Sequence, residues 1–341
     1  GALLSHRALL ANRAQVAAVR PPPITSVDRV LLALPLFHVF GFAAGFLQVC
    51  WSRATTVLPD RLDADGIAEV LADHQVSVLL GTPTLYRGLL DLPPSRLRAA
   101  FADVRLCLAG GAPLPLRWHT EFETATGLPL FESYGLTEAG PIVATTLTRG
   151  RAKPGSVGRP LPGIELRLVD PEGRPLEHAG VAEASLDEFP GDPAADTGTI
   201  ALRGSNVFSG YWPDGAGGPD ADGWFTTNDV GFVDDDGDLH LVDRSSEVVV
   251  VSGFTVYPRE VEEVLALLDG VREVAAVGVP DERTGEAVKA VVVPVPGAQL
   301  TADAVREHCA ARLAPFKVPT VVTFSDALPR TPTGKVARRL L

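Results

Sequence analysis

Over the first 130 residues, short apolar runs alternate with stretches whose apolar positions recur every three or four residues. Runs at 31–34, 55–58, 76–80 and 104–108 predict strands, and the spacing at 64–74 and 116–126 predicts helices. That alternation predicts an α/β architecture, a sheet covered by helices on both faces. Ligands of such sheets gather at the carboxyl ends of the strands, where Gly81-Thr82-Pro83, Gly110-Gly111 and Gly135 fall. Residues 30–51 are almost uninterruptedly apolar, broken by His38 and Gln48, and long enough to cross a bilayer. Pro35, Gly41 and Gly45 divide that stretch, so 31–34 reads as a buried parallel strand and 39–50 as a helix lying on the sheet.

The texture changes at about residue 155. Short β-rich pieces at 164–169, 198–203 and 232–242 follow, separated by Gly, Pro and Asp turns. The acidic stretches 182–196 and 214–222 read as solvated loops. After Arg244 a smaller α+β unit is predicted: strands at 248–251, 274–279 and 287–293, a helix at 258–268 opened by Pro258, and a capped helix at 301–313. The expected division is therefore 1–243 and 244–341, with the boundary at 243–246.

Composition narrows the functional classes. Among 341 residues, 46% are hydrophobic and 21% charged, ordinary globular values that allow two domains. A net charge of -12 argues against a nucleic-acid partner, which would need clustered Lys and Arg. A local basic cluster does lie at Arg330, Lys335, Arg338 and Arg339, and its arginines read equally as a solvated tail. Cys50, Cys107 and Cys309 lack the paired spacing of a zinc site and read as buried free thiols in a reducing, cytoplasmic compartment.

Tyr134-Gly135-Leu136-Thr137-Glu138 carries the most chemistry. Thr137 and Glu138 after a buried strand would offer one group to a phosphate and one to its Mg²⁺, which prefers carboxylate, phosphate and water oxygens. The same residues are equally a helix start, with Thr137 capping and Glu138 favouring the dipole. Order along the chain adds context. Upstream is Ala109-Gly110-Gly111-Ala112-Pro113. Downstream come Gly223-Trp224-Phe225-Thr226-Thr227-Asn228-Asp229, Asp243-Arg244, Val251-Ser252-Gly253 and Pro329-Arg330-Thr331-Pro332-Thr333-Gly334-Lys335. This series resembles the adenylate-forming (AMP-binding) superfamily, the enzymes that include acyl-CoA synthetases, luciferases and peptide-synthetase adenylation domains. Leu34-Pro35-Leu36-Phe37-His38-Val39-Phe40-Gly41 is most similar to the acyl-CoA synthetase branch.

The resemblance implies a large domain with a distorted β-barrel subdomain at about 155–243, then a small mobile C-terminal domain. It implies an ATP-dependent acid-thiol ligase that adenylates a carboxylic acid, a fatty acid foremost, and passes the acyl group to CoA. The alternatives are loading of a carrier protein, or a non-catalytic nucleotide-binding homologue. Gly110, Gly111 and Ala112 would lie against adenine with Tyr134 stacking and Gly135 turning the chain. Asp229 would accept both ribose hydroxyls, although Asn228 stands where the family commonly has Gly. Arg244 would add a ribose or phosphate contact at the hinge, with Ser246 at the pivot position. Ser252 and Gly253 would meet the pantetheine arm of CoA, and Lys335 would bridge the carboxylate and phosphate oxygens. At His38 no carboxylate awaits a substrate ammonium, which favours an unsubstituted acyl or aryl acid, with His38 itself a pocket residue. Gly1-Ala2-Leu3-Leu4-Ser5-His6 looks like the end of the family's phosphate loop, so the sequence reads as an N-terminally truncated fragment. No transmembrane span is expected, and peripheral membrane contact is left open.

Overall fold

The computed structural model describes residues 1–176, 197–244, 247–331 and 334–341. The chain divides into two compact units, Gly1–Thr227 with Phe232–His240, and Asn228–Gly231 with Leu241–Leu341.

The first unit is built on a seven-stranded sheet ordered β2-β1-β3-β4-β5-β6-β7. Its strands are β1 (Arg29–Leu32), β2 (Thr55–Val57), β3 (Val78–Gly81), β4 (Leu106–Gly110), β5 (Leu130–Tyr134), β6 (Ala144–Thr145) and β7 (Arg159–Pro160). The first five run parallel, β6 pairs antiparallel with β5, and β7 pairs antiparallel with β6. β3 and β4 are buried at every position, which is why they read as continuous apolar runs rather than alternating ones. On one face, Leu31, Leu79 and Cys107 pack with Ile67 and Leu71 of the helix Ala64–Asp73 and with Phe122. Within that core the Tyr86 hydroxyl donates to the carbonyls of Leu79 (2.8 Å) and Leu108 (3.2 Å), so its burial leaves no polar group unpaired.

The apolar stretch at 30–51 becomes β1 followed by a π-helix, Phe40–Leu47, that continues as the α-helix Gln48–Ser52. Among the described residues no helix is long and apolar enough to cross a membrane. Cys50 lies on this helix and is exposed, correcting the expectation of three buried thiols; Cys107 and Cys309 are buried.

The strand expected at 232–242 is two strands, β10 (Phe225–Val233) and β11 (Leu239–Arg244). Gly237, at φ 76°, turns the chain between them while the Asp234 carbonyl accepts its N–H at 2.7 Å. With β8 (Ile164–Val169) and β9 (Gly198–Gly204) they form a four-stranded sheet ordered β11-β10-β9-β8. Among the described residues this sheet is open, where the resemblance implied a distorted barrel. The expected acidic loop at 182–196 lies outside the described residues.

The second unit is a sheet ordered β13-β12-β15-β14, with a further strand parallel to β15. Its strands are β12 (Val249–Val251), β13 (Phe254–Val256), β14 (Val271–Asp281), β15 (Gly285–Pro294) and β16 (Val321–Phe324). Val249, Val288 and Val292 pack with Val261 and Leu265 of the helix Pro258–Ala266 and Val305 of the helix Ala302–Ala310. The Thr301 hydroxyl caps the latter helix by accepting from the Ala304 N–H at 3.1 Å. A second small cluster of Ala275, Val291, Val293 and Leu328, with Val336 and Leu341 against it, fixes the end of the chain.

Candidate active site

Two neighbouring parallel strands deliver the glycine turns of the first unit, since Gly110 at the end of β4 is level with Ser133 of β5. A side chain at Gly110 would place its Cβ 2.6 Å from the Ser133 Oγ and 3.1 Å from the Phe40 ring. Gly111 adopts φ 82°, a conformation that excludes most other residues, and Ala112 is partly exposed beside it. Phe40 therefore covers the two glycines, a neighbour that sequence spacing gave no means of finding. Tyr134 is buried at 6% exposure, so it offers less open ring face than the stacking role implied. At Gly135 a Cβ would lie 1.5 Å from the Pro141 carbonyl oxygen, so this glycine is demanded by the backbone alongside it.

Thr137 is exposed and opens a short 3₁₀ turn, Thr137–Ala139, closed by Gly140 at φ 66°. Glu138 is held twice by one segment. Its carbonyl accepts the Phe208 N–H at 2.8 Å, and its Oε1 accepts the Tyr211 hydroxyl at 2.7 Å. Burial and then the Glu138 carboxylate push the Tyr211 hydroxyl up to about 12. Tyr211 escaped the sequence reading because Gly210-Tyr211-Trp212 sits in a glycine-rich loop without periodicity.

Behind the turn lies a buried polar cluster from the helix His6–Ala17. Asn12 donates to the Ile142 carbonyl at 2.7 Å, and Gln15 donates to Asn206 at 3.2 Å, which in turn donates to the Ala139 carbonyl at 2.8 Å. Arg13, 1% exposed, donates to the carbonyls of Ala43 and Gly140 and to Asn12. Burial pulls the Arg13 guanidinium down to about 9. His38 acts locally: its Nδ1 accepts the Phe40 N–H at 3.2 Å and its carbonyl accepts the Phe42 N–H at 2.9 Å. It thus satisfies two donors at the start of the π-helix.

In the second unit Asp229 is half-buried within β10. Asn228 is extended strand backbone there, so the position needs no glycine. Arg244 ends β11, and its side chain, like Ser246, lies outside the described residues. Ser252 (φ 52°) and Gly253 (φ 86°) form the two-residue loop of the β12–β13 hairpin, in which Val251 faces Phe254. Paired positive φ values define a type I′ turn, a structural reason for this Gly independent of any pantetheine contact.

Lys335 is half-buried on a loop closed by its own backbone: its carbonyl accepts the Thr331 N–H at 2.8 Å, and its N–H reaches the Thr331 hydroxyl at 3.2 Å. Gly334, φ 84°, makes that closure possible. Arg330 pairs with Glu273 and donates to the Gly334 carbonyl at 2.8 Å, while Arg338 pairs with Glu247 and Glu262. These two arginines are thus structural rather than a solvated tail; Arg339 is exposed.

One acidic cluster resembles a cation site. Asp234, Asp236 and Asp238 converge, but the Lys153 ammonium stands among them at 2.6, 2.7 and 3.3 Å. The Arg149 and Arg159 guanidiniums also pair with Asp238, at 3.1 and 3.3 Å, so the chain's own cations occupy the cluster.

Residues 1–212 match the model of the AMP-binding enzyme family, and 260–335 that of the AMP-binding enzyme C-terminal domain. The chain belongs to the AMP-binding enzyme family. It is 33% identical to a "Long-chain-fatty-acid--CoA ligase" of Bacillus subtilis, over 100% of this chain and 58% of that protein. It is 38% identical to the "3-[(3aS,4S,7aS)-7a-methyl-1,5-dioxo-octahydro-1H-inden-4-yl]propanoyl:CoA ligase" of Rhodococcus jostii, over 93% of this chain and 58% of that one. Its fold superposes on ATP-bound MatB from Rhodopseudomonas palustris with a TM-score of 0.89 at 34% identity, covering 100% of this chain and 64% of that structure. The chain thus spans about three fifths of the length of these relatives.

Proposed function

We propose that the intact protein is an ATP-dependent acid-thiol ligase that adenylates a carboxylic acid, foremost a fatty acid, and transfers the acyl group to CoA with release of AMP and pyrophosphate. The observation that carries this reading is the motif series, in family order, on a fold similar to an ATP-bound relative. The attacking carboxylate is a weak anionic nucleophile, so the protein must align groups and neutralise charge more than supply a base. Gly110, Gly111 and Ala112 form the small-residue floor for adenine, with Tyr134 and Gly135 at its edge. Asp229 offers two oxygens to the ribose hydroxyls and Arg244 a further contact. Lys335 supplies a compact ammonium for the carboxylate and phosphate oxygens. Ser252 and Gly253 receive the pantetheine arm, and His38 belongs to the acid's pocket.

Mg²⁺ fits Glu138 because Tyr211 engages only Oε1 of a half-exposed carboxylate, leaving Oε2 for a hard cation, with Thr137 exposed beside it for phosphate. When bound, Mg²⁺ neutralises phosphate charge. The names of the relatives support both a long-chain fatty acid and a fused-ring propanoate as substrate class. The test is acid-dependent pyrophosphate release by the full-length protein across fatty acids of increasing length, with and without CoA, beside Lys335→Ala. Fatty-acid-dependent release that yields acyl-CoA and falls by two or more orders of magnitude in the variant supports the reading. Release that ignores the acid or Lys335 overturns it, and an acyl group found only on a carrier protein replaces the acceptor.

A further inference from the structure

We infer that Tyr211 is a positioning residue that orients the Glu138 carboxylate for magnesium, an inference that rests on the ligase reading above. Glu138 and Tyr211 are 73 residues apart in sequence, yet the tyrosine hydroxyl donates to Glu138 Oε1 at 2.7 Å. The same segment holds the Glu138 backbone through the Phe208 N–H at 2.8 Å. One stretch of chain therefore fixes both the place of the residue and the rotation of its carboxylate.

That stretch is itself braced on both sides. The Leu3 N–H donates to the Gly210 carbonyl at 2.9 Å, the Ser209 N–H to Leu3 at 3.0 Å and the Trp212 N–H to Gly1 at 2.7 Å. On the other side the Tyr211 N–H donates to Ala216 at 2.8 Å, and the Gly215 N–H to Tyr211 at 2.8 Å. The ring packs edge-on against Phe208, centroids 4.9 Å apart, and Phe208 packs likewise against Phe225. A hydroxyl set on so fixed a frame holds one carboxylate oxygen and presents the other, the usual arrangement of an outer hydrogen bond behind a metal ligand.

Tyr211→Phe in the full-length protein tests this cleanly, because it keeps the ring against Phe208 and deletes only the hydroxyl. The measurement is Mg²⁺-dependent ATP binding by calorimetry, which needs no turnover, on wild type, Tyr211→Phe, Glu138→Gln and the double variant. The Mg²⁺ concentration for half-maximal binding is expected to rise about tenfold in Tyr211→Phe, the lower end for loss of an outer-shell partner. The hydroxyl deletion is expected to add nothing in the Glu138→Gln background. Unchanged Mg²⁺ dependence in Tyr211→Phe overturns the inference while leaving the ligase reading intact, as does an equal shift in the Glu138→Gln background. Wild type that binds no ATP with Mg²⁺ overturns both.

Discussion

Glycines at the ends of β4 and β5 answer to different neighbours, and the difference sets the cost of replacing them. Alanine at Gly135 would drive its Cβ to 1.5 Å from the Pro141 carbonyl, a backbone atom that only a shift of the loop can move. Gly135→Ala is expected to lose about 3 kcal/mol or more, read as a large fall in the melting temperature. At Gly110 the closest atom is the Ser133 hydroxyl, which can rotate away, so Gly110→Ala is expected to cost roughly 1 kcal/mol. Equal losses in the two variants would contradict this ordering. Their positions were legible in the sequence, because turn glycines at strand ends are a local pattern. What each glycine meets was not: Phe40 and Pro141 arrive from elsewhere in the fold.

Elements whose burial follows one face or a whole strand were the readable ones. The helix at Leu116–Thr126 and the strand at Ile164–Val169 fall where their periodicity places them. The helix His6–Ala17 was not foreseen, since its buried positions include Asn12, Arg13 and Gln15, polar residues that break the apolar repeat. In the β12–β13 hairpin, Gly253→Ala would force a Cβ into left-handed backbone at a cost of about 1–2 kcal/mol. Ser252→Asn, a residue better suited to that region, is expected to raise stability by a few tenths of a kcal/mol; chemical denaturation measures both. The Asp234–Lys153 contact makes an acid prediction. Desolvation opposes ionisation of Asp234, but bonds from Lys153, the Asp238 N–H and His240 outweigh it and hold the carboxyl at about 2 against an ordinary 3.8. A lowered folded value adds stability above the unfolded value and loses it as pH falls, so on the order of 2 kcal/mol disappears between about pH 4 and 2. Asp234→Asn is expected to flatten that limb of melting temperature against pH, and an unchanged limb would contradict it.

At the scale of the whole molecule, each unit owns a core, and the two clusters of the second are drawn entirely from residues between Val249 and Leu341. A fragment of residues 241–341 is expected to melt cooperatively on its own, with dispersed amide resonances; a collapsed, non-cooperative fragment would show that it depends on the rest of the chain. The order of motifs along both units was legible because each is short and local. The bond between Tyr211 and Glu138 was not, since no local pattern joins residues 73 positions apart. The wide turn at Phe40–Leu47 leads to one more consequence. There the Gln48 N–H bonds back five residues to Ala43, so the segment holds more chain per turn than an α-helix of equal length. A relative that winds this segment as an ordinary helix must reach the same endpoints with fewer residues. Alignments across this region should accordingly open a single-residue gap between positions 40 and 47, and divergence by insertion or deletion is expected to concentrate there while Gly41, pressed against the Pro35 carbonyl, stays fixed.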